Sequence, residues 1–359
     1  MKSLLVETTP RNYDRNVNTI NYGQEIVRKK LDADVMHWAD LVNVRFYDII
    51  GFNVFYPINV INMTAFLKQH DLLDKENRRQ TIIAGGQGVS NLKGIIDPLV
   101  DSIFKGEIDG EVVNGHVFHR RLELDTPEMS NHERGVVELT RGCKYSCAFC
   151  EYGCKVGGPY REKPIELVKE QMLRLKRSGI GTINFMSANL GGYSDVLELI
   201  DHCLWNGIRI ANTDSCLSDL TRLDELLPTM SSVRVGVESL CADTRRAIQK
   251  PSGGRSLVET MEYLFRKTNG VHMYLIYGLP NENYDEWFKE LAEIKKVMSA
   301  YDREEQGLFG PIMEYDKNIR LDFSFTQFEP CVGTPLEDAP LGELQRAGRI
   351  PEGVAASRT

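Results

Sequence analysis

Short apolar runs alternate with amphipathic stretches along most of this chain, and the alternation comes in two blocks. In the first, residues 4–6, 48–55, 81–84 and 102–104 have the short, β-branched and aromatic character of buried strands. Between them, 22–31, 60–70 and 94–99 repeat apolar residues at helical spacing. Strand alternating with helix predicts a small doubly wound, Rossmann-like α/β lobe over residues 1–125.

The second block is more regular. Strands are predicted at 136–139, 182–186, 208–212, 233–237, 273–277 and 321–325, and helices from Pro164 onward and at 195–205, 219–227, 256–267 and 285–298. Six strands alternating with helices predict a partial (β/α)6 TIM-type barrel over 126–340, with chemistry at the C-terminal ends of its strands. Residues 341–359 are small and polar and are expected to form a loose tail.

Composition narrows the class. The 359 residues are 42% apolar, enough for a substantial core in each block. A formal charge of −8 gives no general attraction to phosphate backbones. The basic runs at 28–30 and 174–177 lie in predicted helices and are expected to be solvated faces. Neither a signal-peptide core in the first residues nor a membrane-length apolar run occurs, so the protein is expected to be soluble and cytoplasmic.

Several local signals read as ordinary structure. The loop Gly85, Gly86, Gly88 lacks the last glycine of the dinucleotide fingerprint and is expected to be a tight strand-to-helix turn. Gly106 to Glu111 reads as an acidic solvated loop. His116 and His119 stand at helix-like spacing with no cysteine or carboxylate array beside them. Glu282 and Asp285 read as helix-start residues. No G-x-S-x-G elbow, P-loop or H-E-x-x-H is present.

The cysteines carry the chemistry. Eight in a chain of this length are too sparse for a disulfide scaffold, yet Cys143, Cys147, Cys150 and Cys154 crowd into one loop after the strand at 136–139. A structural zinc site is normally closed by four ligands, often as paired CxxC units, and no second pair follows. A thioredoxin-type pair needs only two cysteines. Three thiolates on one compact loop can each bind one iron of a cubane cluster and leave the fourth iron open. Cys154 reads as a buried or idle thiol. Cys203, Cys216, Cys241 and Cys331 are dispersed, with Cys331 alone at a predicted active-site end, where it could touch substrate.

Cys143-x-x-x-Cys147-x-Phe149-Cys150 resembles the signature of the radical S-adenosylmethionine (SAM) superfamily, including the aromatic residue before the last cysteine. The resemblance implies a 4Fe-4S cluster on these three cysteines, with SAM chelating the fourth iron and cleaved reductively to a 5′-deoxyadenosyl radical. Phe149 would then pack near the adenine. Met186 to Gly192 occupies the place of the family's glycine-rich SAM-binding segment but lacks its acidic residue, so Ser187, Asn189 and Gly191 are expected to substitute. Asn212 and Asp214 end the third strand. Gly236-Val-Glu238-Ser239 ends the fourth and is very similar to the family's G-I-E-S/T run; Glu238 is expected to meet the ribose hydroxyls or the ammonium of SAM, with an ion pair to Arg245 or Arg246 as the rival role. Gly278 to Pro280 and Pro330 to Pro335 resemble the G-L-P and P-G-T-P segments.

The first block resembles the cobalamin-binding-like domain that precedes the barrel in one class of the superfamily, through Ala84-Gly85-Gly86 and Phe104 to Glu107. None of the seven histidines stands in the D-x-H-x-x-G setting of the cobalt ligand. A degenerate lobe that shapes the substrate site is therefore expected, and cobalamin is not. The reaction expected is hydrogen abstraction from a small or peptide-sized substrate, with an external electron donor such as flavodoxin or ferredoxin. Methyl or methylthio transfer, modification of a nucleobase in a nucleoside or nucleic acid, and a non-catalytic metal-stapled scaffold are the alternatives.

Overall fold

The computed structural model describes residues 1–9, 22–89, 91–104, 111–113, 116–119, 126–130, 133–154, 158–303 and 319–340. The expected tail at 341–359 and most of the acidic loop at 106–111 lie outside these residues. Two compact units divide the chain: Met1–Glu123 with Met129–Asn131, and Leu124–Glu128 with His132–Thr359.

In the first unit, five parallel strands form a sheet in the order Asp34–His37, Ser3–Glu7, Ile49–Asn53, Thr81–Gly85, Ser102–Ile103. Leu4, Ile50 and Ile82 on the strands bury against Met63, Phe66 and Leu67 of the helix Pro57–Gln69. The sheet order reverses beside Ser3–Glu7, which makes a doubly wound topology with its switch point there. The edge strand Asp34–His37 escaped the sequence pattern because it is short and half of it is exposed. The helix expected at 94–99 is a single turn, Lys93–Ile96. His116–His119 is a strand paired antiparallel to Glu111–Val113, which corrects the helical reading of that histidine spacing.

The glycines after Ala84 serve the turn itself. A Cβ on Gly88 would lie 2.3 Å from the Phe55 carbonyl oxygen, and one on Gly86, at φ +111°, 2.6 Å from that of Val54. Only glycine admits this approach of backbone to backbone.

In the second unit the six expected strand positions are all occupied. Gly135–Glu138, Thr182–Met186 and Arg209–Ile210 lie side by side in parallel, and Ser215–Cys216, Val233–Glu238, Gly270–Tyr277 and Arg320–Gln327 form a second parallel run. Alternate strand residues such as Val137, Ile183, Phe185, Val235 and Met273 pack against the helices Ile165–Arg177, Val196–Trp205, Leu257–Lys267 and Tyr284–Arg303. The capping box of Ser256 and Glu259 starts Leu257–Lys267, and Pro164 caps Ile165–Arg177 rather than sitting in its first turn.

Two features depart from the pattern. The third strand is broken into Arg209–Ile210 and Ser215–Cys216, so each half pairs with a different run. Across the break the Asn212 side chain takes the place of the backbone ladder, its Oδ1 accepting from the Phe185 N–H at 2.9 Å and its Nδ2 donating to the Phe185 carbonyl at 3.0 Å. The helix expected at 219–227 is instead a 3-10 helix, Leu217–Leu223, followed by a turn, Leu227–Thr229. Leu217, Leu220, Leu223 and Leu226 are buried at a spacing of three, the period of a 3-10 helix, which sets them on one face. Among the described residues no helix is long and apolar enough to cross a membrane.

Replacing Asn212 by Ala strands a buried N–H and carbonyl of the second barrel strand. The expected cost is about 1–3 kcal/mol, read as a lowered denaturant midpoint with an unchanged slope.

Candidate functional site

The cysteine loop is a closed excursion from the end of the first barrel strand. Thr140–Arg141 pairs antiparallel with Arg161–Glu162 and pinches its two ends together. Gly142, at φ +77°, turns the chain into the loop. The Ala148 N–H donates to the Ile248 carbonyl at 2.9 Å, tying the loop's middle to the segment after the fourth strand. Phe149 packs with Ile248, Leu279 and Phe328 in a small apolar cluster at the strands' C-terminal ends.

Cys147 is buried, whereas Cys143 and Cys150 are partly exposed. Burial pushes the Cys147 thiol up to about 12, and burial likewise raises Cys143, with the neighbouring Cys150 adding to both. Left as thiolates, these groups would repel one another in a poorly solvated place, a cost that a bound cationic cluster removes. Among the described residues no three His, Cys, Asp or Glu side chains converge closely enough to hold a single ion. Cys150 lies near enough to both Cys143 and Cys147 for a charge on it to bear on each, and three thiols on one short loop match a group that offers each its own iron. Cys154 turns away: its thiol donates to the Cys147 carbonyl at 3.4 Å.

The structure also brings in groups that the sequence left scattered. Cys216 is buried near enough to Cys143 and Cys147 for its charge to bear on both. Lys250, nearly fully buried, pairs with Glu238 at 2.8 Å; burial alone would lower its ammonium, but Glu238, with Cys216 and Cys147 behind it, holds it above the ordinary lysine value. The ion pair of Glu238 is thus with Lys250, while Arg245 donates to the Ser239 and Leu240 carbonyls and Arg246 pairs with Asp243. Gly236 leaves room for this pair, since a Cβ would meet Glu238 Oε1 at 2.7 Å and Lys250 Nζ at 3.0 Å and push the two side-chain ends aside.

Glu238 sits in a strained backbone. Its φ is +68°, the Ser239 N–H donates to the Val237 carbonyl at 2.9 Å, and the register with the next strand slips at this point. This is a γ-turn of the rare positive-φ kind, and such strain persists only where the surroundings over-determine it. Ser239, fully buried, does so: its hydroxyl donates to Glu282 and accepts from the Cys241 N–H and from Trp287 Nε1, each at 3.0 Å. Burial raises the Glu282 carboxyl to about 7. Glu282 is therefore a buried clamp rather than a helix-start residue; Asp285 does lie in the first turn of Tyr284–Arg303.

The remaining expected site residues are held by protein contacts. Ser187 shares a hydrogen bond with Thr140 at 2.8 Å. Asn189 donates to Asp219 at 2.6 Å and accepts from the Cys216 N–H at 3.0 Å. The Gly191 N–H donates to Ser215. Asp214 accepts from the Tyr274 hydroxyl at 3.3 Å and from Asn212 at 3.2 Å. Beside the cysteine loop, Thr140, Gly142, Cys143, Lys144, Tyr160, Asn189 and Gly192 line a small pocket. Cys331 lies in the turn after the sixth strand, its carbonyl accepting from Thr334. Asp219 and Lys250 were not picked out from sequence, and Glu282 was read there only as a helix-start residue; the sequence signals for the first two were a carboxylate three residues after Cys216 and a lysine 12 residues beyond Glu238.

Residues 137–294 match the family description "Radical SAM superfamily". Over 116 residues the chain is 24% identical to the ribosomal protein uS12 methylthiotransferase RimO of Desulfotalea psychrophila, a match that spans 32% of this chain and 25% of that protein. A solved structure of the radical SAM methyltransferase TsrM from Kitasatospora setae, with cobalamin and a 4Fe-4S cluster bound, is similar over 94% of this chain and 77% of its own, at 14% identity and a TM-score of 0.59. The cobalamin-dependent radical enzyme OxsB, with aqua-cobalamin and SAM bound, is similar over 85% of this chain and 55% of its own, at 12% identity and the same TM-score. The family match covers the cysteine loop and most of the strands and helices that follow it, and the likeness to the TsrM and OxsB structures is one of fold, a doubly wound first unit followed by a partial barrel. The matched part spans about a quarter of the length of the curated relatives.

Replacing Lys250 by Met leaves the Glu238 carboxylate buried without its counter-charge, at an expected cost of about 3–5 kcal/mol in chemical unfolding; replacing Glu238 by Leu as well should recover most of it. For Glu282 the carboxyl is raised on folding, so its share of stability is full below the ordinary Glu value and is lost as pH rises through about 7. Glu282→Gln, a mimic of the protonated form, should match the wild type at pH 5 and exceed it in unfolding midpoint at pH 8.

Proposed function

We propose that Cys143, Cys147 and Cys150 hold a 4Fe-4S cluster, and that the protein uses it as a radical SAM enzyme to abstract hydrogen from a small or peptide-sized substrate. When bound, the cluster supplies the electron that cleaves SAM to methionine and a 5′-deoxyadenosyl radical. The observation that carries the reading is the pinned loop itself: three thiols held on one short loop, closed at its base by the Thr140–Arg141 and Arg161–Glu162 pair, at the C-terminal ends of the barrel strands, the face where such folds do their chemistry.

The chain's own residues then divide the work. Phe149 offers an apolar face beside Ile248 and Leu279 for the adenine. Glu238, aimed by its γ-turn and backed by Lys250, offers a fixed carboxylate to the ribose hydroxyls or the ammonium of SAM. Asp214 stands on the broken third strand as a second acceptor. The side chains of Asn189, Asn212 and Ser239 spend their hydrogen bonds on Asp219, Phe185 and Glu282, so they support this wall, and contacts from the segment at 187–191 come from backbone groups. An external electron donor of the flavodoxin or ferredoxin type completes the scheme.

A second reading is methyl transfer with cobalamin held by the first unit. It is favoured by the five-stranded order of that unit and by likeness to TsrM and OxsB structures that extends across the first unit. The missing D-x-H-x-x-G motif speaks only against a histidine ligand to cobalt.

Anaerobic reconstitution with iron and sulfide, followed by reductant and SAM, is expected to release 5′-deoxyadenosine, and Cys143→Ala, Cys147→Ala and Cys150→Ala are each expected to abolish the release. Wild-type protein that binds one tetrahedral zinc and leaves SAM intact overturns the reading. Co-elution of hydroxocobalamin with the protein, together with transfer of a labelled methyl group from SAM to product, would favour the second reading.

A further inference from the structure

Two of the three residues between Cys143 and Cys147 are spent on one buried carboxylate. Lys144 Nζ donates to Asp219 Oδ1 at 3.1 Å, and the Tyr145 hydroxyl donates to Asp219 Oδ2 at 2.8 Å. Asn189 Nδ2 adds a third donor, to Oδ2 at 2.6 Å, from the segment after the second barrel strand. The ammonium of Lys144 also lies 5.0 Å from the centre of the Tyr145 ring. The cysteine loop and the wall beside it are thus gathered onto Asp219, whose side chain is only 7% exposed.

Asp219 itself has no freedom to follow the loop. It stands in the 3-10 helix Leu217–Leu223, which is anchored by the buried Leu217, Leu220 and Leu223. Gly191 packs so closely that a Cβ there would lie 2.7 Å from the Asp219 carbonyl oxygen. Gly192 leaves room for the Asn189 amide and the stem of Lys144, which a Cβ would meet at 2.4 and 3.2 Å. Burial pushes the Asp219 carboxyl up, but the hydrogen bonds from Asn189, Tyr145 and Lys144 outweigh it and hold the group below the ordinary aspartate value. It is a fixed negative charge on a rigid element.

We propose that Asp219 is the positioning residue of the cysteine loop: by holding Lys144 and Tyr145 it sets the path of the chain between Cys143 and Cys147, and by neutralising Lys144 it sets the charge felt at the cluster. The inference rests on the cluster reading above. Groups that orient metal ligands from behind commonly change metal affinity about 10–100-fold when removed. The electrostatic part has a sign. Without Asp219 the Lys144 charge next to Cys143 is uncompensated, which favours the reduced, more negative cluster. Without Lys144 the carboxylate is uncompensated, which disfavours it.

The test is a set of variants of the full chain, reconstituted anaerobically, with iron content, EPR spectrum and cluster midpoint potential as readouts. Asp219→Asn is expected to move the potential to more positive values, Lys144→Met to more negative values, and the double variant back towards the wild type. Tyr145→Phe is expected to leave the charge balance alone and to lower the iron retained against a chelator, by about tenfold. A merely structural role would shift both single variants the same way and give no restoration in the double. Should Asp219→Asn fail to fold, Lys144→Met and Tyr145→Phe probe the same contacts from the loop side, and wild-type behaviour of both overturns the proposal. If the wild type takes up four irons and all variants keep its potential and iron content, Asp219 is not the positioning residue and the cluster reading stands. If the wild type takes up no cluster, both fall.

Discussion

Three thiols stand on a single short loop, in a place where burial holds Cys143 and Cys147 above the ordinary thiol value. That constraint accounts for much of the second unit. A loop of this kind has no core of its own, so its shape must come from what it is tied to. The ties run in three directions: the small antiparallel pair at its base, the Ile248 carbonyl at its middle, and Asp219 at the first spacer. Each belongs to a different strand-to-helix connection, and only closure of the strands into a partial barrel brings those connections together.

The same logic explains why buried charge is tolerated here. Asp219 and Glu238 are carboxylates with little access to water, and each is matched by a lysine and by fixed donors or backbone geometry. Removing apolar surface from water stabilises the barrel, but the polar layer at the strand ends contributes specificity of position at a cost in desolvation. The γ-turn at Glu238 fits that description. A non-glycine residue at positive φ is unfavourable locally and survives because Ser239 is locked behind it by Glu282 and Trp287.

The split third strand has a related cause. A barrel that stays open must change the direction of its sheet somewhere, and here it does so at Asn212, whose amide side chain replaces the missing backbone pairing. The break lets Asp214 and Ser215 approach the segment at 187–191, where the Leu190 N–H donates to the Asp214 carbonyl and the Gly191 N–H to Ser215. The wall beside the cysteine loop is therefore a by-product of how the sheet turns.

Read alone, the sequence determined what local physics controls. Strand and helix periodicity located the six barrel strands and four of the five helices expected there, and the three-then-two cysteine spacing pointed to the radical SAM resemblance that the match over residues 137–294 supports. It went astray where short range and long range compete. Leucines three apart at 217–226 resemble a helix until packing selects the 3-10 form, and histidines three apart at 116–119 fall on a strand. What only the tertiary structure decided was pairing. Asp219 with Lys144, Glu238 with Lys250 and Ser239 with Glu282 are 75, 12 and 43 residues apart in sequence. No spacing rule links such positions, because they become neighbours only when parallel strands bring their C-terminal ends to one face.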